Sequence, residues 1–357
     1  MDFNNSPSMS TTTEIKTAII GYGFSATTFH LPFVLNLPPF RFSAVSTSKG
    51  KQVQQQHPEV EVYAEAEALL TQSDADLVII TAPNEAHFAL AKLALQQGKH
   101  VVLEKPFVTR IEQGEELIAL AKKQQRVLSV YHNRRWDGDF LTVQKLIADG
   151  RLGRVRYFES HFDRFRPEVR KRWRESAVEG GGILFDLGPH MLDQALQLFG
   201  PPTAITAQVK ALRPQAEVDD FFHLTLHYPE HLAVLRSSPF CASPNLRFEV
   251  QGETGSFIKH GLDPQEDRLK SSVRPVTADW AQENPEQYGQ LYTANVAQFV
   301  TTETGGYQHY YRQLARAILD GGDVPVSAEQ ALWNIRLIHL AQQSAASGET
   351  IPLSRKK

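Results

Sequence analysis

Ile15-Lys16-Thr17-Ala18-Ile19-Ile20-Gly21-Tyr22-Gly23-Phe24-Ser25-Ala26 is the stretch on which the fold turns. An apolar run of strand length enters a turn with glycines two positions apart, and a small residue follows three positions later. The pattern predicts strand, glycine turn and helix. Gly21-x-Gly23-x-x-Ala26 matches the dinucleotide fingerprint with alanine in its third place. There the first glycine permits the tight turn, the second lets backbone approach a pyrophosphate, and the small third residue lets helix and strand pack closely. Alone such a motif is weak, and its position after the first strand of a longer series is what gives it weight.

That series follows. β-Branched runs recur at 41–46, 76–82, 99–103 and 126–131, separated by segments of helical spacing. In 85–97, Phe88, Ala91, Leu93 and Leu95 alternate with polar positions, and Gly98 stands where a helix C-cap is expected. Strands alternating with helices predict a doubly wound parallel sheet, an α/β Rossmann-type domain over 14–131. Beyond it the rhythm changes. A helix at 139–149 stops at Gly150, strand-like runs follow at 154–162, 203–211, 220–228, 232–238 and 246–251, and helices at about 307–319 and 328–346 close the chain. This predicts an α+β domain over 132–357 with an open-faced mixed or antiparallel sheet. Phe222, Leu224, Leu226 and Tyr228 share one side of their strand, facing either a core or a neighbouring subunit. Segment 263–285, rich in charge and proline, reads as an excursion loop.

Composition sets outer bounds. The length of 357 residues suits about two domains. Lys plus Arg (37) against Asp plus Glu (40) gives a net charge of −3 and no global positive field for nucleic acid or an anionic membrane. A local basic patch around Arg170, Lys171, Arg172 and Arg174 remains open. The single cysteine, Cys241, rules out an internal disulfide and a cysteine-rich zinc site. Residues 1–13 read as a polar, frayed arm without the apolar core of a secretory signal, and no apolar run approaches the ~20 residues of a membrane span. A cytoplasmic protein is expected.

Several residues are candidates for chemistry. An NAD-specific site calls for Asp or Glu about 20 residues past the glycine turn, and here the chain has Ser46-Thr47-Ser48-Lys49. Three hydroxyls and a cation suit a 2′-phosphate, so NADP is the expected cofactor, with NAD possible; the bland alternative is a solvated polar loop. Thr81-Ala82-Pro83-Asn84, His87 and Glu104-Lys105-Pro106 fall at the ends of the third and fourth strand runs, where ligands bind in open α/β sheets. The proline after Lys105 holds the lysine in extended geometry, so that it is aimed. In 180–193, GGGILFDLGPHMLD, apolar Leu184, Leu187, Met191, Ala195 and Leu198 keep helical spacing and leave Asp186, His190 and Asp193 on the opposite side. Asp186 and His190 are then one turn apart, roughly 6 Å along the axis. Pro189 either kinks this helix or starts it. A histidine beside a carboxylate suits a base for an alcohol proton; the plainer alternative is a capping Asp and a packed His. His223, His227 and His231 recur every four residues, but the period-two pattern makes 223–228 a strand, on which His223 and His227 stand roughly 13 Å apart. No metal is expected.

Taken together, the glycine turn, TAPNEAH (81–87), EKP (104–106) and GGGILFDLGPH (180–190) resemble the glucose-fructose oxidoreductase/inositol dehydrogenase/MocA-like family over about residues 14–350. The resemblance implies a nicotinamide-dependent oxidoreductase acting on a pyranose or cyclitol, with the open sheet used in contacts of a homo-oligomer. It places the catalytic lysine, aspartate and histidine on Lys105, Asp186 and His190. Cofactor contacts would involve Gly21, Gly23, Phe24, Ser46, Thr47, Ser48, Lys49, Ala82, Pro83, Asn84, His87, Glu104 and Lys105, with Trp173 and Arg174 from a Trp-Arg element. Substrate contacts would involve Lys105, Asn133, Arg134, Asp186 and His190. HNRRWDGDF (132–140) and PEQYG (285–289) are similar to the branch containing NADP-dependent scyllo-inositol dehydrogenases. The expected chemistry has His190 removing a hydroxyl proton, Lys105 bonding the same oxygen, and Asp186 orienting His190 or binding a neighbouring hydroxyl. The alternatives are another sugar or small carbonyl substrate on the same fold, or a non-catalytic NADP sensor.

Overall fold

The computed structural model describes residues 14–170 and 175–353; the expected N-terminal arm, 1–13, lies outside them. The N-terminal half is a six-stranded, wholly parallel sheet in the order β3-β2-β1-β4-β5-β6. Its strands are β1 (Ile15–Ile20), β2 (Phe40–Ser46), β3 (Glu61–Tyr63), β4 (Leu77–Ile80), β5 (His100–Leu103) and β6 (Leu128–Val130). All four residues of β4 are fully buried, as expected of a central strand covered by helices on both faces. Strand order reverses between β1 and β4, and the crevice at that switch point, past the carboxyl ends of the strands, is the ligand position of such sheets. Edge strand β3 was not among the expected strands: three half-buried or exposed residues give no apolar run, and pairing with the end of β2 defines it.

The C-terminal half carries a nine-stranded mixed sheet in the order β14-β13-β12-β11-β7-β10-β9-β8-β15. The strands are β7 (Val155–His161), β8 (Ala204–Lys210), β9 (Phe221–His227), β10 (Leu232–Ser237), β11 (Leu246–Gly252), β12 (Ser256–His260), β13 (Gly289–Tyr292), β14 (Ala297–Val300) and β15 (Ile351–Pro352). Only the β7–β10 pair is parallel. Phe222, Leu224, Leu226 and Tyr228 all enter one core, with Phe158 and Phe248, beneath the helix Ile183–Phe199. His223, Thr225 and His227 are left half-buried on the opposite face. The core, not a subunit contact, is therefore what the alternation of 222–228 reports.

Segment 263–285 is a strap, not an excursion. It contains a short helix, Gln265–Lys270, and then sends Trp280 and Ala281 into the core of the N-terminal domain. Trp280 meets Phe33 edge to face, with ring centres 6.2 Å apart, and donates to Gln308 Oε1 at 2.8 Å. A buried Lys259–Glu283 pair (2.9 Å) fixes its far end. The helices that follow also return to the N-terminal half. Tyr310, Tyr311 and Leu314 of Gln308–Asp320 join its core, and Ala328–Ser347, opened by a Ser327/Gln330 capping box, places Leu332 and Ile335 in the first core and Leu337 and Ile338 in the second. No helix among the described residues is long and apolar enough to cross a membrane.

Candidate active site

The end of β1 is tied to both neighbours. Gly21 N donates to Ser46 O (2.9 Å), and Thr81 N and Oγ1 both donate to Ile20 O (3.0 and 2.9 Å). Gly21 has φ +92°, and a Cβ there would stand 2.7 Å from Thr81 Oγ1, so both conformation and space demand glycine. At Gly23 a Cβ would meet nothing within 4 Å. Protein packing therefore does not need that glycine, and the open space leaves its backbone accessible to a ligand. Ala26 is fully buried, as close helix–strand packing asks. Phe24 lies 57% exposed, edge to face with Phe29. These residues fit a dinucleotide. Beside them the turn after β2 folds back: Lys49 N donates to Thr47 Oγ1 (3.0 Å) and Lys49 Nζ to Tyr22 O (3.2 Å), which brings 46–49 over the glycine turn with no carboxylate among its residues.

The other expected cofactor positions divide. Ala82, Pro83 and Asn84 follow β4, and Asn84 Nδ2 donates to Gly180 O (3.0 Å), linking the two halves of the chain. His87 is corrected: its ring is buried with both nitrogens 3.0 Å from backbone carbonyls, of Pro106 and Ala82. Burial keeps it below the usual histidine range, so the neutral ring donates to one of the two carbonyls, and its enclosed position makes it a packing residue between the two loops. Trp173 and Arg174 lie outside the described residues.

Glu104 and Lys105 leave β5 in opposite directions. Glu104 turns inward, accepting from Ser25 Oγ and pairing with His30 Nε2 (2.9 Å), whose Nδ1 meets the Tyr311 hydroxyl at 2.6 Å. Burial alone would raise its pKa, but His30, Ser25 and Lys105 outweigh that and hold it down to about 2. Lys105, whose bond to Pro106 is cis, crosses to the helix Ile183–Phe199 and donates to Asp186 Oδ1 (2.9 Å) and Asp186 O (2.7 Å). That helix starts at Gly182 (φ +92°), where the Asp219 carboxylate accepts from Leu184 N (2.7 Å). Pro189 is in its interior, so it does not start the helix.

His190, one turn beyond Asp186, is 7% exposed. Burial, then the charges of Lys105 and Arg134, push its pKa well below the ordinary value, so the imidazole is neutral at pH 7. Its Nδ1 is buried without a partner among the described residues. His132 faces it nearly at right angles with ring centres 6.4 Å apart, accepts from Asn334 Nδ2 (3.3 Å), and is pushed down to about 4 by burial. Asp186 accepts from Lys105, and no hydrogen bond joins Asp186 to His190 among the described residues. Asp193 is not on an exposed face either: it takes a two-pronged bond from Arg135 at 2.7 Å.

Lys105, Asp186 and His190 open into one cleft of about 250 Å³ together with Phe24, Ser25, Asn133 and Arg134. Arg134 lies at its wall with its charge already matched, by Glu266 (2.9 Å) and Asp137 (3.3 Å), and its guanidinium 4.8 Å from the Phe162 ring centre. Sequence reasoning missed Arg164, Arg166 and Glu266 in this wall. The sequence held one clue, the density of arginines from 164 to 174, of which Arg170 also lines the cleft; Glu266 carried none, because the strap delivers it.

Two family models match, one described as an oxidoreductase family NAD-binding Rossmann fold over residues 15–132 and one as an oxidoreductase family C-terminal alpha/beta domain over 144–353. Among curated proteins the chain is 44% identical over 344 residues to the uncharacterized oxidoreductase YdgJ of Escherichia coli, covering 95% of this chain and 99% of that one. It is 40% identical over 343 residues to the NADP(+) scyllo-inositol 2-dehydrogenase IolW of Bacillus subtilis, covering 95% and 96%. Among solved structures the yvaA protein of B. subtilis superposes with a TM-score of 0.93 at 40% identity, covering 97% of this chain and all of that one.

Proposed function

The chain belongs to the glucose-fructose oxidoreductase/inositol dehydrogenase/MocA family of oxidoreductases, and on that premise we propose that it is an NADP-dependent dehydrogenase acting on a secondary alcohol of a cyclitol or sugar. The observation that carries the reading is the meeting, in one cleft, of an aspartate-held lysine and a neutral histidine beside a glycine turn. When bound, the nicotinamide supplies the hydride acceptor. The chain supplies the proton chemistry. His190, already unprotonated at neutral pH, takes the hydroxyl proton on an imidazole nitrogen. Lys105 donates to the same oxygen and stabilises the alkoxide charge as it develops. Asp186 acts on Lys105 rather than on His190, fixing the ammonium through its carboxylate and its carbonyl.

NADP is favoured because residues 46–49 offer hydroxyls and Lys49, and no carboxylate that would repel a 2′-phosphate. The dehydrogenase IolW, named as NADP(+)-dependent, supports the same choice. The reading also carries a homo-oligomer through the half-buried face of the nine-stranded sheet, which a sizing column measures. The test of function is the initial rate of NADP reduction with scyllo-inositol, set beside NAD, myo-inositol and glucose and repeated with His190→Ala. A rate that needs NADP and a polyol and vanishes in the variant is expected. NADPH binding with no turnover of any polyol or sugar would overturn it.

A further inference from the structure

Among the described residues, several buried or half-buried arginines of the C-terminal half are paired with carboxylates. Arg134 pairs with Asp137 and Glu266, Arg135 with Asp193, Arg213 with Glu175 and Asp220, Arg236 with Asp163, and Arg247 with Asp139. Arg164, half-buried at the cleft wall, has no carboxylate within salt-bridge distance among the described residues. The sequence 171–174, KRWR, contains no carboxylate to offer it.

Its position is fixed. Arg164 N donates to Ser238 O (2.9 Å), its carbonyl accepts from Cys241 N (3.2 Å), and its guanidinium lies 5.9 Å from the centre of the buried Phe162 ring. Burial, then repulsion from Arg166, lowers its pKa, against a smaller opposing pull from Asp186 and Glu266, neither of which pairs with it. The carboxylates of the cleft are engaged elsewhere: Glu104 with Ser25 and His30, Asp186 with Lys105, and Glu266 with Arg134 and Lys270. Among the described residues, five cationic side chains line the cleft against these three carboxylates. Arg164 and Arg166 also reach a small adjoining chamber of about 40 Å³, whose carboxylates are engaged by protein groups: Glu175 and Asp220 by Arg213, Asp186 by Lys105, and Asp219 by Leu184 N. A half-buried guanidinium facing a cleft without a counterion is costly unless a ligand brings one.

We propose that the preferred substrate is a polyol or sugar bearing an acidic group, carboxylate or phosphate, which Arg164 receives while the alcohol carbon faces Lys105 and His190. The inference rests on the hydride-transfer reading above and adds the charge of the substrate. It makes the guanidinium the feature that ranks substrates, and the Lys105 and His190 pair the feature that reacts with them.

The experiment uses the full chain with NADPH bound. Binding of matched compounds is followed by calorimetry: glucose, gluconate and glucose 6-phosphate; galactose and galacturonate; myo-inositol and an inositol monophosphate. The same compounds are then assayed for turnover. At least one acid is expected to bind about tenfold or more tighter than its neutral parent, the order expected of one charge-assisted bond. The carboxylate and phosphate arms tell which acid Arg164 receives. Arg164→Gln should collapse the acid-to-neutral ratio toward one, and Arg164→Lys should keep part of it. NADPH affinity in Arg164→Gln, measured separately, should move less than about threefold. The proposal is overturned if no acid binds better than its neutral parent, if the preference survives in Arg164→Gln, or if the loss falls on NADPH, which would make the arginine a cofactor contact. Should acids bind with the expected preference and no compound transfer hydride, the Arg164 site stands and the dehydrogenase reading falls.

Discussion

At the carboxyl ends of β1, β2 and β4 the cleft wall is mostly backbone. Gly21 and Gly23 shape it, Ser46 O and Ile20 O brace it, and the one buried carboxylate nearby, Glu104, is satisfied by Ser25 and His30. The opposite wall, drawn from residues 105, 134, 164, 186 and 190, is ionisable side chain, and its charges come from segments far apart in sequence. A wall of backbone depends on φ angles and on empty space. A wall of side chains depends on electrostatic balance, and hence on pH and on each partner being present.

The largest effect that would break this contrast is on turnover. His190→Ala or Lys105→Ala should lower kcat by about 10²–10⁴-fold, the usual range for loss of a positioned acid or base. NADPH affinity, read by fluorescence titration, should stay within a few-fold; unchanged turnover would remove both residues from the chemistry. Next comes Gly23→Ala. Because a Cβ at Gly23 meets no protein atom, the melting temperature should hold, while NADPH affinity should fall tenfold or more if a ligand approaches the backbone there. Gly21→Ala should lower both, since φ +92° and the 2.7 Å approach to Thr81 Oγ1 strain the protein itself. A tenfold effect is expected for Lys49→Glu on the ratio of kcat/KM for NADP to that for NAD, with an unchanged ratio showing that Lys49 is merely solvated.

The smallest effect is on stability. His132 titrates at about 4 when folded, against 6.5 in a free side chain. Between those values the unfolded chain binds the proton and the folded one does not, so stability is lost as pH falls from 6.5 toward 4. The melting temperature should drop by several degrees across that window, and His132→Asn should flatten the drop. An equal slope in the variant would assign it to other groups, such as the buried His190.

Legibility followed the same division. The backbone wall could be read in advance because glycine spacing and buried β-branched runs are local signals; β1, β4, β5 and β6 lie within the expected segments and β2 begins one residue before its own. Strands β3, β12, β13, β14 and β15 escaped because two to five residues carry too little of a period to be read. Lys105, Asp186 and His190 were found by motif and do meet in one cleft. Which of them pairs with which was not legible: Asp186 and His190 share a helix face, yet Lys105 from another domain claims the carboxylate. Arg134 was read as a ligand-binding residue, but Glu266 from the strap already matches its charge. Periodicity could not show that 263–285 returns to the first domain, because its anchors Leu269, Trp280 and Ala281 are scattered through a polar stretch without a period.

The strap and the two terminal helices have a consequence for the order in which the protein is made. A nascent chain that ends near residue 131 holds every strand of the parallel sheet but none of Trp280, Tyr307, Tyr310, Tyr311 or Leu332, which complete its core from the far end of the sequence. The first domain to leave the ribosome is thus among the last to be finished, and until then the faces of Phe33 and Tyr131 that those aromatics cover stay open to solvent and to other chains.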